Sequence, residues 1–583
     1  MTVHITTYIP QSFLTNGLIL NVHRLLGLDD NNDSSPSKKK LNVVIIEARN
    51  RIGGRAYTSD SLQCGVEIDH GGKWIHGSTD KSNCMTQLAR ELNIKTTALP
   101  KSDPLYYKQK KRRRDIERVV LSSGCNGTKV VQSSTPTRKA ENASKLLYNQ
   151  LCEDEGEVSL IAPLMTSFNA EASYMDCHLQ LAKEEPSFMA WLEKQAEAAL
   201  RAKGNPQLKL KQADMEPPSD SESSSSSDSE SSSSGSSSSS SNSEDNGDLS
   251  NYNMDDLIRE TIALLRLRIY HYLENYEGSC INRCSLLHTY AGDILDGKNA
   301  VVEGGHGNLI KKLAEPLDVR YGLEAVNIDS TISQGVVVNC KVNGEDTEST
   351  IKTFTAKLGC IIAVPLGVLK RNRIQFKPQL QESLQRSIGR LEMALMNKIE
   401  ILFPYQWWPA GVGSLSIATE STSSDFPLCN MPFSHFIVEE DSPAAILVCY
   451  ATGMFADRIE YMTNEDVIKE TVDAVRVAFL DDGKQEQGTG ITAIPDPVRV
   501  NATKWGTDKY SHGSWTVFNA GSSMEDVHEF QRFNSGDDSD KKIYFAGEHT
   551  CNNSIPGLDI GTIHGAYTSG RVAAECLLEN GED

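Results

Sequence analysis

The sequence predicts an α/β fold in which a Rossmann-like parallel sheet is interleaved with an α+β domain carrying a helical subdomain. Three observations predict it. The run NVVIIE, ending in Glu47, holds the unbroken apolar stretch VVII, as suits a parallel strand covered on both faces. Paired glycines follow at once in EARNRIGGR, where Gly53 and Gly54 let the backbone approach a phosphate. A chain of 583 residues exceeds one compact core, so two intertwined domains plus a linker are expected.

Residues 1–75 read as the first part of the dinucleotide-binding domain. In such a domain a first strand delivers a glycine-rich turn and a helix N-terminus meets the pyrophosphate. A second strand then ends in an acid for the ribose. The second strand is present, with Glu47 as the acid and Arg49 and Arg55 nearby to neutralise phosphate. The first turn is not. Gly17 is the only glycine of the opening stretch; taken as the third glycine of GxGxxG, it leaves Ser12 and Leu14 in the places of the first two. Leu14 then sets a side chain where the pyrophosphate needs bare backbone. No strand of suitable apolar character is expected before Ser12. The interval from Gly17 to Glu47 exceeds the usual ~20 residues, and the polar insert DDNNDSSPSKKK accounts for the excess. Two explanations stand side by side, an incorrect start or exon and real loss of the motif.

Residues 76–211 read as the first part of a substrate domain, with LLYNQL and FMAWLEKQAEAAL as helical segments. Residues 212–250 are a Ser/acidic linker with almost nothing to bury, and disorder is expected there. It is either a solvated spacer or a phosphorylated acidic tract. Residues 251–297 form the helical substrate subdomain. MDDLIRETIALLRLRIYHYLENY opens with acids, carries apolar residues at helical spacing and stops near Gly278. The linker therefore interrupts a helical subdomain rather than separating two domains. Residues 298–370 return to the dinucleotide-binding domain, with GVVVNCKV and LGCIIAVPLGVL as sheet segments. Residues 371–500 supply the substrate-domain sheet. Residues 501–583 complete the dinucleotide-binding domain, with KKIYFAGEHT a short strand ending in a loop.

Composition narrows the function. A net charge of −20 argues against nucleic acid, because phosphate neutralisation needs a basic face. An acidic surface draws in a small cation, although it serves solubility equally well. No apolar run approaches the ~20 residues that cross a bilayer, so no membrane partner is expected. The opening residues show no basic region leading into an apolar core. Thirteen cysteines without a CxxC pair read as reduced thiols. A cytoplasmic location follows, or a nuclear one if the basic run Lys108–Arg114 is a localisation signal rather than a solvated hairpin. No His/Cys/Asp cluster has metal-ligand spacing, so no metal is expected.

The segments EARNRIGGRAYT, IDHGGKWIHG, AVVEGGHGNLIKKLAE, IAVPLGVLK, MNKIEILF, TKWGTDKYSHGSW, YFAGEHT and GTIHGAYTSGRVAAE follow one another in that order. They resemble the successive landmarks of the flavin-containing amine oxidase family, and most those of its polyamine and spermine oxidases. The resemblance covers the chain from about Leu41 to the C-terminus, apart from the linker. It implies FAD as cofactor on a Rossmann-like domain of two or three layers. It also implies that Glu47 binds the adenosine ribose and that Arg49, Gly53, Gly54 and Arg55 lie on the pyrophosphate side. By the same resemblance Lys73 and Trp74 line the flavin mostly through backbone, and Val326 meets the adenine, one residue further along than usual. Glu548 contacts the ribityl–phosphate region. Thr562 and Ile563 offer backbone N–H groups to the flavin pyrimidine edge. One departure stands out: Asp559-Ile560 precede GTIHGA where Tyr-Pro is usual, which changes the wall of the flavin pocket.

The implied reaction moves a hydride equivalent from the carbon beside nitrogen to flavin N5, leaving an imine that water hydrolyses. Dioxygen then reoxidises the flavin, giving hydrogen peroxide. Lys398 in LMNKIEILF matches the family lysine that holds a water at flavin N5. By pattern alone, a lysine in an apolar strand is costly unless it is functional or snorkels outward. Trp505, Tyr510 and Trp515 are either core aromatics or substrate contacts. Trp515 resembles an aromatic wall suited to an amine, and Trp in place of the usual Tyr narrows the pocket. His76 in WIHG resembles a histidine that faces substrate in polyamine-oxidising members; otherwise it is a satisfied loop histidine. A free amine with pKa near ~10.4 must first lose a proton. The expected function is FAD-dependent oxidation of spermine, spermidine or an acetylated form, giving an aldehyde, an amine and hydrogen peroxide. Two alternatives are a relative of the lysine-specific histone demethylases and a non-catalytic relative. The serine-rich insertion cannot form a heptad stalk, which counts against the first; Ser12 and Leu14 motivate the second.

Overall fold

The computed structural model describes residues 3–8, 41–79, 83–98, 116–122, 267, 270–280, 283, 295, 297–333, 335–343, 350–408, 412–419, 434–438, 444–479, 493–519, 521–536, 542–555 and 557–580. Ser12, Leu14, Gly17, the segment 140–200, the linker 212–250 and Lys108–Arg114 lie outside them.

A parallel sheet runs in the order Ile543–Phe545, Cys360–Ile362, Val3–Tyr8, Leu41–Ile46, Asp318–Arg320. Every pairing in it is parallel. The first strand is central, the next two lie to one side and the last two to the other. That is the doubly wound order, with its ligand crevice beyond the carboxyl ends of the strands where the winding reverses. Here that point lies beyond Tyr8 and Ile362, which pair with each other.

Val3–Tyr8 corrects one expectation from sequence, that no strand precedes Ser12. VHITTY lacks a continuous apolar run but is rich in β-branched residues, which suit a pleated backbone. Its whole length, Val3 to Tyr8, pairs with Leu41 to Ile46. A second correction concerns LGCIIAVPLGVL. Only Cys360–Ile362 is strand, and Leu366–Lys370 is helix. Pro365 between them has no N–H for a ladder, and it caps the helix at φ −55°.

A four-stranded sheet, in the order Ile351–Ala356, Val336–Val342, Leu323–Asp329, Gln375–Lys377, sits beside the carboxyl end of strand Leu41–Ile46. Its strand Leu323–Asp329 has a register shift between Ala325 and Asn327, so Val326 is the extra residue of a bulge. The bulge falls at the residue whose spacing is one longer than the resemblance implied.

The second domain is built on six strands: Arg499–Ala502, Asn397–Phe403, Ala445–Ala451, Ser434–Val438, Val412–Thr419, Ile116–Ser122. Asn397–Phe403 pairs antiparallel on both edges and is buried at every residue. Helix Asn464–Phe479 contributes Val467, Val472 and Val475 to the core formed with that strand. No helix among the described residues is long and apolar enough to cross a membrane. All the described cysteines are free thiols.

The fold carries a pH liability at His549. This ring is fully buried, neither nitrogen has a partner among the described residues, and it stands edge-on to Phe530 at 5.0 Å. Burial pushes its pKa down to about 4 from 6.5. As pH falls through that interval the unfolded chain takes up the proton first. Folding stability is therefore expected to drop by about 3 kcal/mol between pH 6.5 and 4 on this account. Urea unfolding at pH 7 and pH 4.5 measures the drop, and His549→Phe should shrink it. An unchanged pH slope in that variant would refute the assignment.

Candidate active site

One cavity has a volume of ≈ 470 Å³. It brings together Arg55, Lys73, Trp74, His76, Lys398, Trp505, Trp515, Thr562 and Ile563, contributed by segments from the start, middle and end of the chain. Glu47, Arg49, Gly53, Gly54, Val326 and Glu548 do not line it.

Five of those six stand at or near the carboxyl end of strand Leu41–Ile46. Glu47 is buried at the end of its strand, and its Oε1 accepts the Arg49 N–H at 2.8 Å. The Val326 strand starts against this turn, where Leu323 N–H donates to the Glu47 carbonyl and Gly322 N–H to the Arg49 carbonyl. Gly53 and Gly54 take φ of 99° and 56°. A Cβ on Gly53 would lie 2.6 Å from the Ala56 carbonyl oxygen, so glycine is required there. Arg49 is held by Asp508 through both terminal nitrogens, at 3.0 and 2.5 Å, with its guanidinium 5.4 Å from the Tyr510 ring. Tyr510 belongs to this end: its hydroxyl takes Asn343 Nδ2 at 2.6 Å, and it does not line the cavity.

Arg55 connects the two regions. Its side chain is 1% exposed, donates Nη1 to the Ser514 carbonyl at 2.8 Å and pairs through Nη2 with Glu548 at 2.9 Å. Burial lowers its pKa, and Glu548 opposes that. Glu548 itself accepts from Thr516 N, Thr516 Oγ1 and Gly561 N. It therefore ties together four segments around the cavity.

Lys398 sits on the all-buried strand, so snorkelling to solvent is ruled out. Nζ donates to the Asp69 carbonyl at 2.5 Å and the Gly71 carbonyl at 2.7 Å, and lies 5.3 Å from the Tyr450 ring centre. Burial lowers its pKa to about 8, while Asp69 and Glu400 resist the change. With Cε and two carbonyls filling three tetrahedral directions, the fourth holds a proton when Lys398 is charged and a lone pair when it is neutral. Lys73, half-buried, is lowered further, to about 7, by burial and then by Lys398. His76 is brought to about 4 by burial and then by His564, while a hydrogen bond to Asn299 resists.

The aromatic walls are fixed by packing. Trp505 is buried and donates Nε1 to the His70 carbonyl at 3.3 Å. Trp515 lies against Gly278, the left-handed residue (φ 62°) that ends the segment Asn275–Glu277 where the sequence predicted a helix stop. A Cβ at Gly278 would come within 2.5 Å of the indole. Thr562 caps helix Ile563–Glu579 by accepting the Gly565 N–H, which leaves the first-turn N–H groups beside the cavity without intrahelical partners. Asp559, standing where Tyr is usual, is buried and meets His564 Nε2 at 2.6 Å; it does not line the cavity.

Sequence reasoning missed His70, Tyr450, Asn299 and Glu277, all of which line the cavity. His70 had a readable signal, its place directly before the glycine pair in IDHGGKW. The others had none, because sheet pairing and the approach of the Glu277 segment bring them in.

A sequence profile described as flavin containing amine oxidoreductase matches residues 37–578. The chain is 30% identical over 286 residues to lysine-specific histone demethylase 1 homolog 1 of Arabidopsis thaliana, covering 49% of this chain and 30% of that protein. Its matches to the demethylase homologs 1 and 2 span only about a third of their length. It is 24% identical to polyamine oxidase 5 of Oryza sativa subsp. japonica over 542 residues, covering 92% of this chain and 83% of that protein. The fold is similar to that of a putrescine oxidase double mutant, with TM-score 0.56, 16% identity, and 99% and 100% of the two chains covered.

Proposed function

Because this chain belongs to the flavin containing amine oxidoreductase family, whose cofactor is FAD, we propose that it oxidises a polyamine, whether spermine, spermidine or an acetylated form. The products are an aldehyde, an amine and hydrogen peroxide. The observation that carries the reading is Lys398, fixed by two backbone carbonyls at the wall of a cavity flanked by Trp505 and Trp515. The similarity to polyamine oxidase 5 along most of both chains supports the polyamine over other amines.

The residues present fit FAD. Gly71, Gly72 and Gly561 keep part of the cavity wall free of side chains, and the N-terminus of helix Ile563–Glu579 stands beside it. Glu47 waits at the end of the second strand, near the winding reversal. When bound, FAD accepts the hydride equivalent from the carbon beside nitrogen and passes its electrons to dioxygen. Glu47 would hold the ribose and Val326 the adenine. Arg49, Gly53, Gly54 and Arg55 would lie along the pyrophosphate, with Arg55 anchored by Glu548. Lys73 and Trp74 would present backbone to the ring system. The N–H groups of Thr562 and Ile563 would face the edge where negative charge grows.

The remaining work falls to side chains. Trp505 and Trp515 orient the amine and exclude water from its carbon. His76, neutral at working pH, adds no charge that would repel an ammonium. Above about pH 8 Lys398 is neutral, and its lone pair can take the proton an incoming ammonium must lose.

A second reading, oxidation of a methylated lysine side chain, is favoured by the higher identity to the demethylase homolog. Purified full-length protein separates the two. It is expected to release flavin on denaturation and to form peroxide with spermine, spermidine or their acetyl forms, and none with a dimethyl-lysine peptide. Peroxide with the peptide alone would replace the first reading by the second. Colourless protein with no releasable flavin would defeat both and leave a non-catalytic relative.

A further inference from the structure

Glu400 follows Lys398 by two residues on strand Asn397–Phe403, so the two side chains share one face of the sheet. The loop Asp69–Gly72 lies against that face and is pinned to it by two rungs. In the first, Lys398 Nζ donates to the carbonyls of Asp69 and Gly71, the residues on either side of His70. In the second, Glu400 Oε1 meets His70 Nδ1 at 2.7 Å.

The second rung is fully enclosed, with side chains 3% and 0% exposed. His70 Nε2 meets Ser59 Oγ at 2.7 Å. Glu400 Oε2 accepts Ser61 Oγ at 2.6 Å and Asn501 Nδ2 at 2.9 Å. A carboxylate this deep costs several kcal/mol to desolvate, and apolar residues of similar volume often stabilise a core as well or better. Stability alone therefore gives little reason for it. Ser59–His70–Glu400 is also the order of a hydrolase relay, but Ser59 does not line the cavity. What the rung does reach is the site: the His70 carbonyl receives Trp505 Nε1, and its neighbours hold Lys398.

We propose that His70 and Glu400 are positioning residues, fixing the Asp69–Gly72 loop so that its carbonyls aim Lys398 Nζ into the cavity beside the Glu400 carboxylate on the same strand face. The role of Lys398 in turnover rests on the function proposed above; its aim and charge do not. The charged and titratable groups around Lys398 are Asp69 and His70 on the loop, Lys73 beyond it, Glu400 on its own strand, Tyr450 on the adjacent strand and His306 on helix Gly305–Ala314. Of these, Asp69 and Glu400 favour the charged form.

The test is the titration of Lys398 in flavin-loaded, full-length protein carrying ¹⁵N/¹³C-lysine, with the signal assigned by its loss in Lys398→Arg. In Glu400→Gln, which keeps shape and loses charge, the midpoint is expected to fall clearly below that of the wild type. Glu400→Asp should keep it near the wild-type value. His70→Gln should lower kcat by about tenfold or more with little change in KM, as displacement of a catalytic group does. An unmoved midpoint in Glu400→Gln, with only thermal stability reduced, overturns the proposal. A moved midpoint with unchanged turnover keeps the electrostatic role of the pair and removes Lys398 from the reaction instead.

Discussion

Lys398→Met is expected to lower kcat by about a hundredfold or more, the contribution of a positioned acid–base group, while FAD stays bound. Met matches the lysine stem in the buried strand and relieves the desolvation of an ammonium. It also leaves the Asp69 and Gly71 carbonyls without a donor, which costs about 1–3 kcal/mol. Turnover should fall far more than stability. The wild-type pH profile should rise through about pH 8, where Nζ gives up its third proton and its lone pair becomes available. That rise should be missing from the variant. Steady-state kinetics from pH 6 to 10 and thermal melts decide the matter. A kcat within threefold of wild type, with the rise intact, would remove Lys398 from the mechanism.

Glu548→Ala is expected to be the most destabilising single change near the site. It removes the carboxylate paired with the Arg55 guanidinium, 1% exposed, and strips acceptors from Thr516 and Gly561. Removing one partner of a buried pair costs about 3–5 kcal/mol. The Glu548 bonds join the loop after Gly54, the strand after Trp515 and the turn before the last helix, so flavin retention should fall with stability. Glu548→Gln preserves most of the bonds and should lose less. Urea unfolding and flavin content after gel filtration give both quantities. An unfolding midpoint equal to wild type would show that the pair contributes nothing net.

Much of the site was legible because its chemistry is local in sequence. Glu47, Gly53, Gly54 and Arg55 fall within nine positions, and the strand before them ends in four consecutive apolar residues, Val43–Ile46. Thr562 and Ile563 were singled out only through the resemblance carried by GTIHGAYTSG; the helix they open and the Thr562 cap came from the structure. Lys398 drew attention as a cation in a buried strand. The same logic applies to Glu400, two residues on and on the same face, but its partner His70 lies 330 positions away in sequence. Asp559 marked a departure from the usual Tyr-Pro without revealing that its partner is His564, buried beside it.

The sequence alone determined the α/β class, the family and its flavin, because these rest on short segments whose spacing along the chain is their meaning. The tertiary structure decided the rest. It made the opening strand from VHITTY, because backbone pairing on both edges does not require apolar side chains. It placed a bulge at Val326, since register is a property of two strands. It separated Tyr510 from Trp505 and Trp515, though all three share one segment. It set the pKa values of Lys398 and Lys73 by enclosing both in one cavity, since burial and the charge of a distant residue exist only once the chain has folded.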